Sequence, residues 1–135
     1  IFHCDMACAD IGNHLRDKER AESRLNNYAK ARAYANKALS FNSKYGQPHI
    51  LIAQCYGAAN KWSEDDIMNG CTYFLCLDRL DRAKAVDPSV KKEADKLFAI
   101  YSKHTPKIED LFMRGYEAGK VINIGGWINE STKIR

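Results

Sequence analysis

The sequence predicts an all-α fold, an α-α superhelix in which short helix pairs stack on one another. Three observations predict it: a composition that favours helix, apolar positions recurring at helical spacing, and self-similarity at an offset of 45 residues. Only three prolines and eight glycines interrupt the 135 residues, of which 45% are hydrophobic and 28% charged. That is the composition of a folded domain rather than of a disordered chain. Slid against itself by 45 positions, the chain brings Gly12 onto Gly57, Glu19 onto Glu64, Tyr28 onto Tyr73 and Ala38 onto Ala83. A second step carries Ile52 to Leu97 and Tyr56 to Tyr101. One such helix pair cannot bury its apolar face alone, whereas stacking the next pair covers it.

The chain reads as one domain, 1–135, with repeat units at about 1–45, 46–90 and 91–119 and a tail at 120–135. Five or six helices are expected. The first runs from about Phe2 to Asn13, where Cys4, Ala7, Cys8 and Ile11 share a face at i, i+3, i+4 and i+7. Its partner covers about Leu25 to Phe41, with Ala31, Ala35, Ala38 and Phe41 on one stripe. The intervening segment 14–24 is rich in helix formers, which lets it lengthen its neighbours. The third helix runs from about Gln47 to Ala59 on the face of His49, Ile52, Ala53 and Tyr56. The fourth covers about Asn69 to Val86 with Cys76, Leu80, Ala83 and Val86. Small residues at a helix crossing let two backbones approach closely while larger neighbours fill the grooves. Asp87-Pro88-Ser89 stops one helix and starts the next, because proline suits a first turn. The fifth helix follows from about Pro88 to Lys103, with Ala94, Leu97, Phe98 and Tyr101 facing inward. Thr105-Pro106 opens a sixth that ends near Gly119. In the tail, Val121-Ile122-Asn123-Ile124 alternates weakly and Gly125-Gly126 signals a turn. A short irregular or extended segment is expected there, packing Trp127 against the last helices.

Charge and motif content narrow the function. Lys plus Arg is 21 against 17 for Asp plus Glu, a net charge of +4. Both signs are interspersed, as in Arg16-Asp17-Lys18-Glu19-Arg20, so the basic stripe of a nucleic-acid binder is not expected. No run reaches the ~18 apolar residues of a membrane-spanning helix. The five cysteines, Cys4, Cys8, Cys55, Cys71 and Cys76, lack the paired spacing of a zinc site. Buried thiols are the leading reading, with a disulfide or a metal site as alternatives. Gly115-x3-Gly119-Lys120 falls one residue short of a phosphate loop and is followed by Val121 instead of Ser or Thr. The histidines His3, His14, His49 and His104 show no H-E-x-x-H spacing, and no G-x-S-x-G context occurs. No catalytic residue, no metal ligand and no cofactor is assigned, and no enzyme activity is expected.

His49, Ile52, Ala53, Tyr56, Cys76, Leu80, Ala83 and Pro88 fill, in order, the places of the tetratricopeptide-repeat pattern, which the chain resembles over roughly 26–135. His49 stands where tryptophan is common, Cys76 where alanine is, and the unit is 11 residues longer than the usual 34 between its helices. The stretch Ala83–Val90 and the ending Gly125–Arg135 resemble the carboxy-terminal part of tetratricopeptide-repeat proteins of Bacteroidetes-type bacteria. That resemblance implies the end of a longer solenoid, in a periplasmic or exported location; without it, a cytoplasmic one is expected. It implies a non-catalytic interaction module or scaffold that binds a peptide or partner helix on its concave face. The residues expected there are Gln47, Ile50, Gln54 and Asp95, whose amides, apolar branch and carboxylate suit a polypeptide partner. They do not supply the basic clamp that holds carboxylate-ended tails. A polyanion-binding helical domain and a purely structural solenoid cap are the alternatives, and no small-molecule ligand is expected.

Overall fold

The structure, a computed structural model, describes residues 18–135, with side chains described from Arg24 onward. The expected first helix, Phe2–Asn13 with Cys4 and Cys8, lies outside the described residues. Helix α1, Lys18–Phe41, is 24 residues long and begins ahead of Leu25, so the helix formers of 18–24 extend it. It is followed by α2 (Gln47–Ala58), the single turn α3 (Asp66–Gly70), α4 (Thr72–Val86), a 3-10 turn (Pro88–Val90), α5 (Lys91–Ser102) and a short α6 (Ile108–Phe112). Two strands, β1 (Val121–Ile124) and β2 (Glu130–Lys133), pair antiparallel with Val121 opposite Lys133 and Ile124 opposite Glu130. The described chain is therefore mostly helical with a small two-stranded sheet, the tail taking the extended of the two forms expected for it.

Helix α4 is the hub. It packs antiparallel to α2 and to α5, and β2 lies across it. Leu80 and Ala83 are fully enclosed there, as are Ile52 and Ala53 of α2 and Ala94 of α5. The Cys76 thiol lies 3.3 Å from the Ala53 carbonyl, a close crossing that the small side chains of α2 and α4 permit. Helices α2 and α5 flank α4, running in the same direction. At their amino ends the Gln47 amide donates to Glu93, 46 positions away, at 2.8 Å. Near their carboxy ends Gly57 lies against the Tyr101 ring.

The stop signal behaves as its chemistry dictates. The Asp87 carboxylate accepts from the Ser89 amide and hydroxyl, capping the 3-10 turn, and from the Gly46 amide at 3.0 Å. These bonds, the Ser89 hydroxyl foremost, hold its carboxyl below the usual range. Gly46, at the entry to α2, is thereby pressed against the junction of α4 and α5: an added Cβ would sit 2.6 Å from Val90 Cγ2 and 2.7 Å from Asp87 Cβ. Gly46→Ala is expected to cost about 1–3 kcal/mol by overpacking, read as a lower urea midpoint with an unchanged slope. An unchanged midpoint would mean that Gly46 does not press on that junction.

Two elements depart from the expected boundaries. The fourth helix is interrupted at Cys71, where Asn69 turns its amide into the preceding loop and holds Trp62 N–H, Ser63 N–H and the Ser63 carbonyl. The sixth ends at Phe112 rather than near Gly119, because Gly115 and Gly119 adopt φ of +82° and +87°, outside the helical range. From there the hairpin reverses the chain through 125–129, and its inward residues Ile122, Ile124, Thr132 and Ile134 are buried. The reversal sets Trp127 against Tyr28 of α1 and Tyr56 of α2, at ring separations of 6.1 and 5.5 Å. The expectation that Trp127 packs on the last helices is corrected by this return.

Candidate functional site

A polar constellation drawn from four elements sits where the hairpin returns to the helices. Three helices and a strand supply it: Arg32 from α1, His49 and Tyr56 one heptad apart on α2, Arg79 from α4, and Glu130 at the start of β2. Arg32 donates to the backbone carbonyls of Ile128 at 2.7 Å and Trp127 at 2.9 Å, and to the Tyr56 hydroxyl at 3.3 Å. Its guanidinium lies 5.0 Å from the centre of the Trp127 ring. The Tyr56 hydroxyl donates to Glu130. Arg79 reaches Glu130 at 3.5 Å and donates to His49 Nδ1 at 3.2 Å. The Trp127 indole N–H donates to the Ala59 carbonyl at 2.9 Å. Around these groups, with Asn36 and Asn129 at the rim, lies a shallow cleft of about 320 Å³.

Burial and the neighbouring charges set the electrostatics of the cluster. Burial, with Arg79 and Arg82 beside the ring, lowers the His49 pKa, so its imidazole is neutral at neutral pH. With Nδ1 accepting from Arg79, the ring proton belongs on Nε2. Burial and the bond to Glu130 push the Tyr56 phenol up to about 12. Burial likewise raises the Cys71 thiol to about 11 and raises Cys76 further. Cys55, Cys71 and Cys76 are all buried, and thiols held protonated, as Cys71 and Cys76 are, make poor metal ligands and poor nucleophiles. Among the described residues no three His, Cys, Asp or Glu side chains gather as metal ligands, and no helix is long and apolar enough to cross a membrane.

His49 has a pH consequence. Its folded pKa lies below the unfolded value of about 6.5, so the folded chain binds fewer protons there. The stability that neutral His49 contributes is present above about pH 6.5 and is lost as pH falls through the folded pKa. The melting temperature of the wild type is expected to fall more steeply between about pH 7 and pH 5 than that of His49→Gln. Parallel curves would show that the imidazole is solvated in the folded state.

The four residues expected to meet a partner are not brought together into a pocket. Gln47 is half-buried and spends its amide on Glu93, while Gln54 is half-buried. Asp95 is exposed and accepts from Lys84 at 2.9 Å. Ile50 is only 1% exposed, and this corrects its placement on a binding face. Its helix is covered on more sides than one helix pair supplies: Pro48 through Ala53 are all buried, together with Cys55 and Tyr56. The cluster of Arg32, Arg79 and Glu130 went unread in the sequence. Its members stand on separate elements, and Arg32 and Ile128 are 96 positions apart. Nothing in local spacing announces such a set. No protein-family model matches the chain, and no curated protein and no solved structure is significantly similar to it.

Proposed function

We propose that the chain is a non-catalytic interaction module of the tetratricopeptide-repeat kind, docking a protein or peptide partner. One observation carries this reading: large apolar side chains stand in solvent on a frame whose polar interior is used up. Tyr34 is 68% exposed, Phe41 81%, Phe112 65% and Met113 84%. Among the described residues no buried side-chain nitrogen or oxygen lacks a hydrogen-bond partner. A reacting site commonly retains a group poised for chemistry; a docking surface needs exposed apolar area on a rigid support. Stacked antiparallel helices with a parallel α2–α5 pair supply that support. Gln54 and Asp95 offer polar contacts on the remaining surface.

Selection of random peptides on the immobilised chain, followed by amide hydrogen exchange of the complex, tests the reading. Enriched peptides that share a pattern and slow exchange on one contiguous exposed face are the expected result. Failure to enrich any sequence over several rounds would remove it. Enrichment dependent on contaminating nucleic acid would instead support the polyanion alternative.

A further inference from the structure

We propose that the solvent-facing flank of α1 is the docking face, and that its partner is an acidic amphipathic helix. This rests on the interaction-module reading and names its partner class. The flank is defined by Lys30, Tyr34, Lys37 and Phe41, all exposed. At 100° per residue these four fall within an arc of about 60° on the helix surface. The buried residues of α1, Tyr28, Ala31 and Ala35, centre about 120° away. Arg32, which holds the hairpin, lies beyond them on the far side. The stripe therefore turns away from α2, from the hairpin and from the cleft.

Spacing selects a helix as the occupant. Positions 30, 34, 37 and 41 alternate steps of four and three, the seam along which two helices pack knobs into holes. Tyr34 and Phe41 occupy one heptad position in successive heptads, and Lys30 and Lys37 the other. The seam extends about 16 Å along the axis, enough for three turns of a partner. Such a partner would set apolar side chains against the two rings and carboxylates against the two ammonium groups.

Charge selects an acidic one. No Asp or Glu occurs between Glu22 and Glu64, a stretch that holds Arg24, Lys30, Arg32, Lys37, Lys44 and Lys61. Neither Lys30 nor Lys37 is among the ion pairs of the described residues, which join Arg79, Lys84, Arg114 and Arg135 to carboxylates. The acidic residues of α4 and α5 are engaged elsewhere: Asp78 and Asp81 with Arg135, Asp95 with Lys84, and Glu93 with the Gln47 amide. From Arg24 onward the α1 flank thus carries cations and no carboxylate, although the whole chain carries only +4.

The test is a fluorescence-anisotropy titration of the full chain with a labelled helical peptide bearing leucine and glutamate at alternate heptad seam positions. Controls are the same peptide with lysine for glutamate, and a labelled oligouridine. The wild type is expected to bind the acidic peptide and to lose about tenfold in affinity with Tyr34→Ala/Phe41→Ala. Lys30→Glu/Lys37→Glu is expected to lose the acidic peptide and gain the lysine peptide. Both double variants replace exposed residues, so unchanged circular-dichroism melts separate lost binding from lost folding. Equal affinity of wild type and both variants, or no saturable binding at millimolar peptide, would overturn the proposal. Tighter binding of oligouridine than of the acidic peptide would overturn it as well, giving the stripe to a single-stranded nucleic acid. Peptides enriched in the selection above but protecting another face would overturn this assignment while leaving the interaction-module reading standing.

Discussion

Trp127→Ala is expected to destabilise the chain by about 3 kcal/mol. The indole stacks near Tyr28, meets Tyr56 edge-on, underlies the Arg32 guanidinium and donates to the Ala59 carbonyl. Truncation removes the apolar area and the ring contacts together, and leaves Arg32 with its two carbonyl bonds on a loosened turn. Amide exchange should show where the loss falls: Ile122, Ile124 and Thr132 of the hairpin should lose protection before the centre of α4 does. Trp127→Phe should retain most of the packing and cost about 1 kcal/mol for the lost indole bond. A Trp127→Ala chain that melts with the wild type would show that the hairpin is held by its strands alone.

Ala83→Trp is expected to cost about 3 kcal/mol or more. Ala83 is fully enclosed on α4, and its carbonyl lies where α4 meets the Gly46 entry to α2. An indole cannot rotate to solvent from that face without separating α4 from its neighbours. Loss of cooperativity in the thermal transition would accompany the lower midpoint, because α4 joins α2, α5 and the hairpin. Ala85, one helical step off the core face and exposed, is the control: Ala85→Trp should shift stability by no more than about 0.5 kcal/mol. Equal melts for both substitutions would mean that the small-residue stripe of α4 does not face its neighbours.

The two substitutions probe parts of the molecule that differed in legibility. The α4 stripe was readable because Leu80 and Ala83 recur at helical spacing and Asp87-Pro88 ends the run with local chemistry. Helices α2 and α5 were readable for the same reason, to within a few residues at their ends. The hairpin was only half readable. Val121–Ile124 alternates over four residues, but Glu130–Lys133 is polar throughout, its inward Thr132 included, so its pairing carries no apolar signature. Asn129 adds to the concealment, adopting φ of +48° in the turn where a glycine would have announced it.

Site residues were harder still. Ile50 read as exposed because it stands off the stripe of His49, Ile52, Ala53 and Tyr56, and an isolated helix pair leaves that side open. In the folded chain it is enclosed, as is nearly the whole of α2. The exposed stripe of Lys30, Tyr34, Lys37 and Phe41 shows the converse. Phe41 was placed on the inward stripe with Ala31, Ala35 and Ala38, yet it is 81% exposed. Residue type favours burial of a phenylalanine, but only the position of the neighbouring elements decides whether anything covers it.

Sequence by itself determined where the main described helices lie, which side chains of α2 and α4 cross, and where the chain stops and restarts at Asp87-Pro88-Ser89. Those are matters of helical period, residue size and capping, each settled within a few residues along the chain. The tertiary structure decided the rest: the return of the hairpin onto α1, α2 and α4, the clasp of Arg32, Tyr56, Arg79 and Glu130, the burial of Ile50 and the exposure of Tyr34 and Phe41. Each of these depends on which surfaces meet across tens of residues, and the free energy of that meeting belongs to pairs of elements, not to any segment alone.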